Sequence, residues 1–433
     1  MSSEWVIVLI ERQSPRGSRI AVVGGGVSGL VAAHLLHREH QVTVFEAGAY
    51  AGGHTNTIEV ETARGPLAVD TGFIVFNDRN YPRFEALLGE LGVASQPSQM
   101  SFGVSDGDFE YASTSANGLY AKRSHLVSPT FQRMIADVPR FQRRARELLN
   151  SPGEPSLREW LEGLGLSDAF VERVIVPQAA AVWSADPEQM WTFPARFLVE
   201  FFDNHGMLGL RGRPRWQTVS GGSKRYVEAL TAPFADRIRL STPVRAIERL
   251  GDGVEVTPAG GVPERFDEVV IAAHADQALA MLADPTTAER EILGAFPYQA
   301  NEAVLHTDRG LLPRRRRAWA SWNYHLLPEG SPPGPATVTY HMNRLQSLDA
   351  DEDYCVTLNR TEAIDPERII RRIAYAHPVY TVEGQAAQRR YDEIGGGRTH
   401  FCGAYWGWGF HEDGVASAHR AAAAAGRREA VPA

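Results

Sequence analysis

A glycine-rich turn between a short β-branched strand and an apolar helix constrains this chain more than any other feature. Arg19 to Val23 reads as the strand, Gly24-Gly25-Gly26-Val27-Ser28-Gly29 as the turn, and Leu30 to Leu36 as the helix. Gln41 to Glu46 follows as a second strand. Together they make a βαβ unit of about thirty residues, the length that a right-handed parallel crossover needs. The chain therefore opens with half of a doubly wound α/β domain.

The turn carries its own chemistry. Gly24 permits the tight bend, Gly26 lets backbone approach a pyrophosphate, and Gly29 lets the helix pack on the sheet, with Ser28 between them in the first helical turn. The helix N-terminus then presents amide donors and a partial positive charge to a phosphate. Glu46 ends the second strand 17 residues after Gly29, where a carboxylate accepts hydrogen bonds from the ribose of an adenosine. A dinucleotide is the expected ligand.

Two later glycine elements select FAD over a nicotinamide cofactor. Gly52-Gly53-His54-Thr55 follows Glu46 closely, and Asp70-Thr71-Gly72 follows that. Both are similar to elements of large two-domain flavoproteins, a likeness that implies Gly53, His54 and Thr55 beside the diphosphate and Thr71 and Gly72 toward the ribityl chain and ring. Near the C-terminus, Thr399 to Gly403 reads as a last strand, followed by a Gly/aromatic loop and a helix at Val415 to Ala425. A strand, a loop and a helix start aim amides at the edge of a reduced flavin, which needs positive charge there. Tyr405, Glu412, Asp413 and Val415 are the cofactor candidates of this element.

Between these ends the texture changes. Phe84 to Leu91, Phe131 to Leu149, Leu157 to Leu164 and Asp168 to Val176 have helical spacing, whereas Ser220 to Leu230 returns to a Gly-rich turn and helix. Strands are expected at Ile238 to Leu240, Val244 to Leu250, Val254 to Thr257 and Glu268 to Ala272. Val304 to His306, Trp319 to His325, Thr337 to Met342 and Tyr354 to Asn359 suggest a second, aromatic-rich sheet. The expected fold class is α/β, a Rossmann-type FAD-binding domain (19–80, 215–275 and 395–428) interleaved with an α+β substrate domain (helical 81–214 and sheet-containing 276–394). Residues 1–18 and 429–433 are tails on this reading.

With these residues in hand, the chain resembles the flavin-containing amine oxidase superfamily, which includes phytoene desaturases and protoporphyrinogen oxidases. Gly409-Phe410-His411-Glu412-Asp413-Gly414-Val415 corresponds to that superfamily's Gly-Tyr-x-Glu-Gly-Ala flavin motif. The resemblance implies an amine-oxidase-like two-domain fold and puts Phe410 at an aromatic-cage position. It puts Val244 on a strand whose backbone contacts adenine, and His411 and Glu412 at the flavin edge in a proton-handling or helix-capping role. Ala318-Trp319-Ala320-Ser321-Trp322-Asn323-Tyr324, Val338 to Asn343 and His377-Pro378 look more narrowly like bacterial flavin proteins encoded beside, or fused to, cyclopropane fatty-acid synthases. That likeness implies noncovalent FAD, a lipid acyl chain as substrate, and a lipid methyltransferase or cyclopropane synthase as partner. Trp406, Phe410, Trp322 and Tyr324 would face the substrate. No Ser-Gly-Cys segment precedes the last strand, which argues against a cysteinyl flavin.

Composition narrows the alternatives. A net charge of -8 without a basic tract gives no support to nucleic-acid binding, and Cys355 and Cys402 lie too far apart in sequence for a metal-ligand cluster. Trp5 to Ile10 is too short to span a membrane, so a cytoplasmic protein is expected. Arg314 to Arg317 beside Trp319 and Trp322 offers peripheral contact with a membrane face. Two other functions compete with acyl-chain oxidation: oxidation of small amines or amino acids, and a non-catalytic flavin-bound partner of a lipid-modifying enzyme.

Overall fold

The computed structural model describes residues 17–209, 212–328 and 330–425. The Trp5 to Ile10 stretch and the tail from Gly426 lie outside them. The chain divides into two compact units, one comprising residues to Gly53, Leu230–Gly294 and Gln388 onward, the other His54–Ala229 and Ala295–Ala387.

The first unit is built on a five-stranded sheet. In spatial order its strands are Ile238–Arg239, Gln41–Phe45, Arg19–Val23, Glu268–Ile271 and Thr399–Phe401, and every neighbouring pair is parallel. Parallel strands are covered on both faces, which is why they read as unbroken apolar runs. Ile20, Ala21, Val22, Val44, Val269, Val270 and Ile271 are fully buried. The helices Val27–Leu36 and His411–Ala424 belong to this unit, as does a three-stranded antiparallel sheet of Val244–Leu250, Gly253–Pro258 and Glu264–Phe266.

The second unit holds a seven-stranded sheet in the order Ile369–Pro378, Tyr298–His306, Cys355–Leu358, Val338–His341, Trp322–His325, Phe102–Ser105 and Glu110–Ala112. One pair, Trp322–His325 with Phe102–Ser105, is parallel. The helical part includes Pro129–Leu149 and Ala195–Asn204. Asp137, buried on the first of these, accepts from the amide (2.9 Å) and hydroxyl (2.6 Å) of Ser167 and pairs with Arg140 at 3.0 Å.

The expected domain boundaries shift by whole segments. Residues 54–80 and 215–229 group with the second unit because a buried carboxylate knits them there. Asp70 accepts from the Ser223 amide (2.9 Å), the Thr57 hydroxyl (2.5 Å) and the Gln346 amide (2.9 Å). Burial pushes Asp70 up to about 6. Residues 276–294 instead join the first unit, where Ala283 donates to the Ile247 carbonyl (3.0 Å) and Glu289 pairs with Arg249 at 2.5 Å.

A row of polar side chains crosses four adjacent strands of the seven-stranded sheet. His306 Nε2 lies 2.7 Å from the Thr357 hydroxyl, which lies 2.7 Å from the Thr339 hydroxyl, which lies 2.8 Å from His325 Nε2. The Asp308 amide donates to His306 Nδ1 at 3.0 Å, so His306 carries its proton on Nε2 and the row runs donor to acceptor toward His325. Burial holds both imidazoles neutral, pushing His306 down to about 4 and His325 down to about 3. A depressed folded-state pKa contributes stability above the unfolded value near 6.5, lost as pH falls through that value toward the folded one. Asp70 and Asp413, whose carboxyls are pushed up, act in the opposite sense. Urea unfolding of wild type and His325→Gln at pH 7, 5 and 4 therefore separates the two. The wild type is expected to lose a few kcal/mol more than the variant on acidification, and parallel curves would contradict the assignment.

Candidate cofactor site

In the first unit the glycine turn closes tightly on itself. Gly24 has φ +111, and a Cβ there would stand 2.6 Å from the Ala272 carbonyl oxygen. A Cβ on Gly29 would stand 1.9 Å from the Gly24 carbonyl oxygen. Gly26 is different, because a Cβ on it would meet no protein atom within 4 Å. Its backbone is extended and offers no side-chain cap, so the first-turn amides of Val27–Leu36 are left for a ligand. Ser28 is buried in that first turn.

The second glycine pair packs directly on this turn. The Gly52 amide donates to the Gly25 carbonyl at 2.7 Å, and Gly53, at φ +59, would bring a Cβ within 3.1 Å of Gly26 Cα. Glu46 accepts from the Gly25 amide (2.6 Å) and the Gly48 amide (2.6 Å), one through each carboxylate oxygen. Each oxygen keeps a lone pair for a ribose hydroxyl. Ser241 and Thr242 donate to the Gly48 and Glu46 carbonyls at 2.8 Å each, which fixes Val244, two residues on, at the same end of the site.

The C-terminal element completes the cradle. Its strand ends at Phe401; the next amide, of Cys402, donates to the Ile271 carbonyl at 3.0 Å, and the Gly403 amide then donates to the Ser417 hydroxyl at 3.0 Å. Asp413 folds the loop back by accepting from the amides of Trp408 (3.1 Å) and Phe410 (2.9 Å). Desolvation raises its carboxyl to about 7. Gly414 lies against the phosphate-loop helix, since a Cβ there would be 2.7 Å from Val27 Cγ1 and 3.0 Å from the Ser28 hydroxyl. The first turns of two helices thus lie together, and their dipoles favour negative charge at one place.

The candidate residues distribute unevenly. Gly24, Gly26, Ser28, Gly29, Glu46, Gly53, Val244, Tyr405, Glu412, Asp413 and Val415 all fall in the first unit, with Tyr405 and Val415 buried. His411 is buried and pushed down to about 3, so it stays neutral through the physiological range. That removes the reason for expecting it to exchange protons near neutrality. Phe410 sits at the N-cap of the last helix, and Trp406 stands edge-on to Tyr391 at 4.7 Å.

His54, Thr55, Thr71 and Gly72 belong to the second unit, with the first of them next in sequence to Gly53. Thr55 is buried with its hydroxyl 2.5 Å from the Tyr226 hydroxyl, and Thr71 bonds the Asn56 carbonyl at 2.8 Å. Both hydroxyls are therefore engaged within their own unit. A Cβ on Gly72 would be 2.2 Å from the His54 carbonyl oxygen, and the His54 ring stacks on Tyr375 at 4.7 Å. Trp322 and Tyr324 share one face of their strand, where Trp322 meets Tyr340 edge-on at 5.0 Å. Sequence reasoning missed Gln388, which donates to the carbonyls of Tyr405 (2.8 Å) and Gly407 (2.6 Å), and Asn301, whose amide lies 3.1 Å from His377 Nδ1. Nothing in the local sequence of either residue marks it.

The family described as flavin containing amine oxidoreductase matches residues 27–354, most of the chain. The chain belongs to this family. A flavin family on a dinucleotide fold uses FAD, and this chain holds it noncovalently; the open space before Gly26, the uncapped helix amides and Glu46 fit that cofactor. The protein named flavin-containing monoamine oxidase AofH, from Mycobacterium tuberculosis, is 28% identical over 315 residues, which are 70% of this chain and 65% of that protein. The chain thus spans about two thirds of that relative's length. Cyclohexylamine oxidase from Brevibacterium oxydans shares the fold at a TM-score of 0.67 and 18% identity, covering 94% of this chain and 98% of that one. The CLA-producing fatty acid isomerase of P. acnes does so at 0.63 and 15%, with the same coverage.

Proposed function

We propose that this protein is an FAD-dependent oxidoreductase that removes hydride from an apolar substrate, by oxidation or desaturation of a lipid acyl chain. The observation that carries this reading is the disposition of its lysines. Lys122 and Lys224 are the only two in the chain. The first pairs with Asp108 at 2.6 Å and the second pairs with Glu59, so each amine is taken up by a carboxylate. Neither amine is therefore left uncompensated to act beside a bound flavin.

FAD, when bound, supplies the hydride acceptor, so the side chains need only bind, orient and exclude water. Trp322, Tyr324 and Tyr340 give one sheet face an aromatic lining suited to an apolar chain. Phe410 and Trp406 are proposed to face the substrate from the C-terminal loop. The fold of a fatty acid isomerase at a TM-score of 0.63 supports the view that this scaffold can accept an acyl chain.

Amine oxidation is the second reading, supported by the 28% identity to AofH. Anaerobic mixing of the purified flavoprotein with fatty acyl substrates and, separately, with small amines distinguishes the two. Bleaching of the flavin by an acyl substrate is the expected result, whereas bleaching by amines alone would replace this reading with the second. A flavin that neither class reduces, in a protein that co-purifies with a lipid methyltransferase, would instead favour a non-catalytic partner.

A further inference from the structure

We infer that the segment around Leu126 and Val127, in the second unit, is a docking tip for a bilayer bearing anionic lipids. This goes beyond the proposed chemistry and does not depend on it. Leu126 is 54% exposed and Val127 82% exposed, side by side at the end of the turn Arg123–Val127. Together they make a small apolar point that a partner phase can cover.

Several backbone groups of this tip are satisfied within the protein. The His125 amide donates to the Lys122 carbonyl at 3.0 Å, the carbonyls of His125 and Leu126 accept from Gln132 Nε2 at 2.9 and 3.2 Å, and the Ser128 amide donates to the His125 carbonyl at 3.4 Å. Entry into an apolar phase demands that polar backbone groups be satisfied internally. The His125 ring stacks on Phe131 at 4.2 Å, which seats the turn on the helix Pro129–Leu149 and leaves Leu126 and Val127 pointing away. At its base lies a cavity of about 80 Å³ lined by Phe109, Phe131, Met134 and Arg173, among others.

Charge around the tip selects the partner. Over 106–127 and 314–317 there are six cations against three carboxylates, in a chain whose net charge is -8. Two of those carboxylates are neutralised locally, Glu110 by Arg315 at 2.5 Å and Asp108 by Lys122 at 2.6 Å. Arg123 bonds the Tyr120 carbonyl (3.0 Å) and the Asn117 side chain (2.6 Å), and Arg317 bonds the Ala121 carbonyl (2.7 Å). Those partners are neutral, so the positive charge remains. Arg314 and Arg316 are exposed in the same cluster. An apolar tip on a turn that carries Arg123, next to Ala121 where Arg317 is bound, is complementary to acyl chains beneath anionic headgroups.

The structure also relocates the contact from where the sequence pointed. Trp319 is half-buried with its indole donating to the Pro313 carbonyl at 2.7 Å, and Trp322 lies within the sheet, so the aliphatic pair is what projects. Among the described residues no helix is long and apolar enough to cross a membrane.

Flotation of the FAD-loaded protein with phosphatidylglycerol/phosphatidylcholine vesicles tests this. Binding is expected to be at least about tenfold stronger than to phosphatidylcholine alone and to weaken with salt. Leu126→Ser/Val127→Ser should lower it about tenfold, and Arg314→Ala/Arg316→Ala by roughly fivefold per charge. Both variants should keep the wild-type flavin absorbance and melting temperature, because the altered side chains are exposed. A wild type that ignores anionic vesicles, or a double serine variant that floats equally well, would overturn the inference. So would light scattering in which Leu126 and Val127 drive self-association in place of lipid binding.

Discussion

Gly29→Val is expected to purify without its yellow colour. The Cβ of any side chain at this position would stand 1.9 Å from the Gly24 carbonyl oxygen and 3.1 Å from Ala272 Cβ. Backbone cannot move aside as a flexible side chain can, so the turn must open and withdraw its amides from the diphosphate. Overpacking of this kind costs on the order of 3 kcal/mol. Gly26→Ala is the informative companion, because its methyl group would touch no protein atom within 4 Å. Its stability should change by less than about 1 kcal/mol, the scale of a single helix-end substitution, while FAD affinity falls more than about tenfold. Melting temperature and fluorescence titration with FAD measure the two quantities on the same sample. Wild-type FAD affinity in Gly26→Ala would mean that the open space before the turn is not the diphosphate site.

Gly414→Val should have the second largest effect. The branched side chain would enter the contact between the last helix and the phosphate-loop helix, where Val27 Cγ1 and the Ser28 hydroxyl already stand 2.7 and 3.0 Å from the new Cβ. Alanine there can be absorbed by rotation of Val27 and Ser28. Valine cannot, because its own methyl groups meet the helix next. A loss of about 2 to 4 kcal/mol and a flavin released on dilution are expected, read by thermal denaturation and by absorbance after gel filtration. A Gly414→Val protein as stable and as yellow as wild type would show that the two helix starts do not act together.

The parts of this molecule that were legible in the sequence are those where one residue type answers one local demand. Gly24, Gly26 and Gly29 declare a turn, and the apolar runs at Arg19 to Val23 and Glu268 to Ala272 declare buried parallel strands. Other features depend on partners distant in the chain. The first strand of the hairpin Thr57–Thr62 with Gly65–Asp70 is legible as Ile58 and Val60 alternating with Glu59 and Glu61, but its allegiance is decided by Ser223 and Gln346 meeting Asp70 from far along the chain. The helix His411–Ala424 begins four residues earlier than its apolar pattern suggests, because Asp413 binds the Phe410 amide and extends the helix through a polar turn. His411 illustrates the limit for chemistry: imidazole near a flavin edge suggests proton transfer, yet its burial at this position keeps it neutral.

The most direct test is the visible spectrum of the purified protein before and after denaturation. A flavin absorption band in the native protein, about one FAD per chain, and complete release of intact FAD into the supernatant on acid precipitation are the expected results. A colourless protein that takes up no added FAD, or a flavin that stays with the precipitated chain, would contradict it.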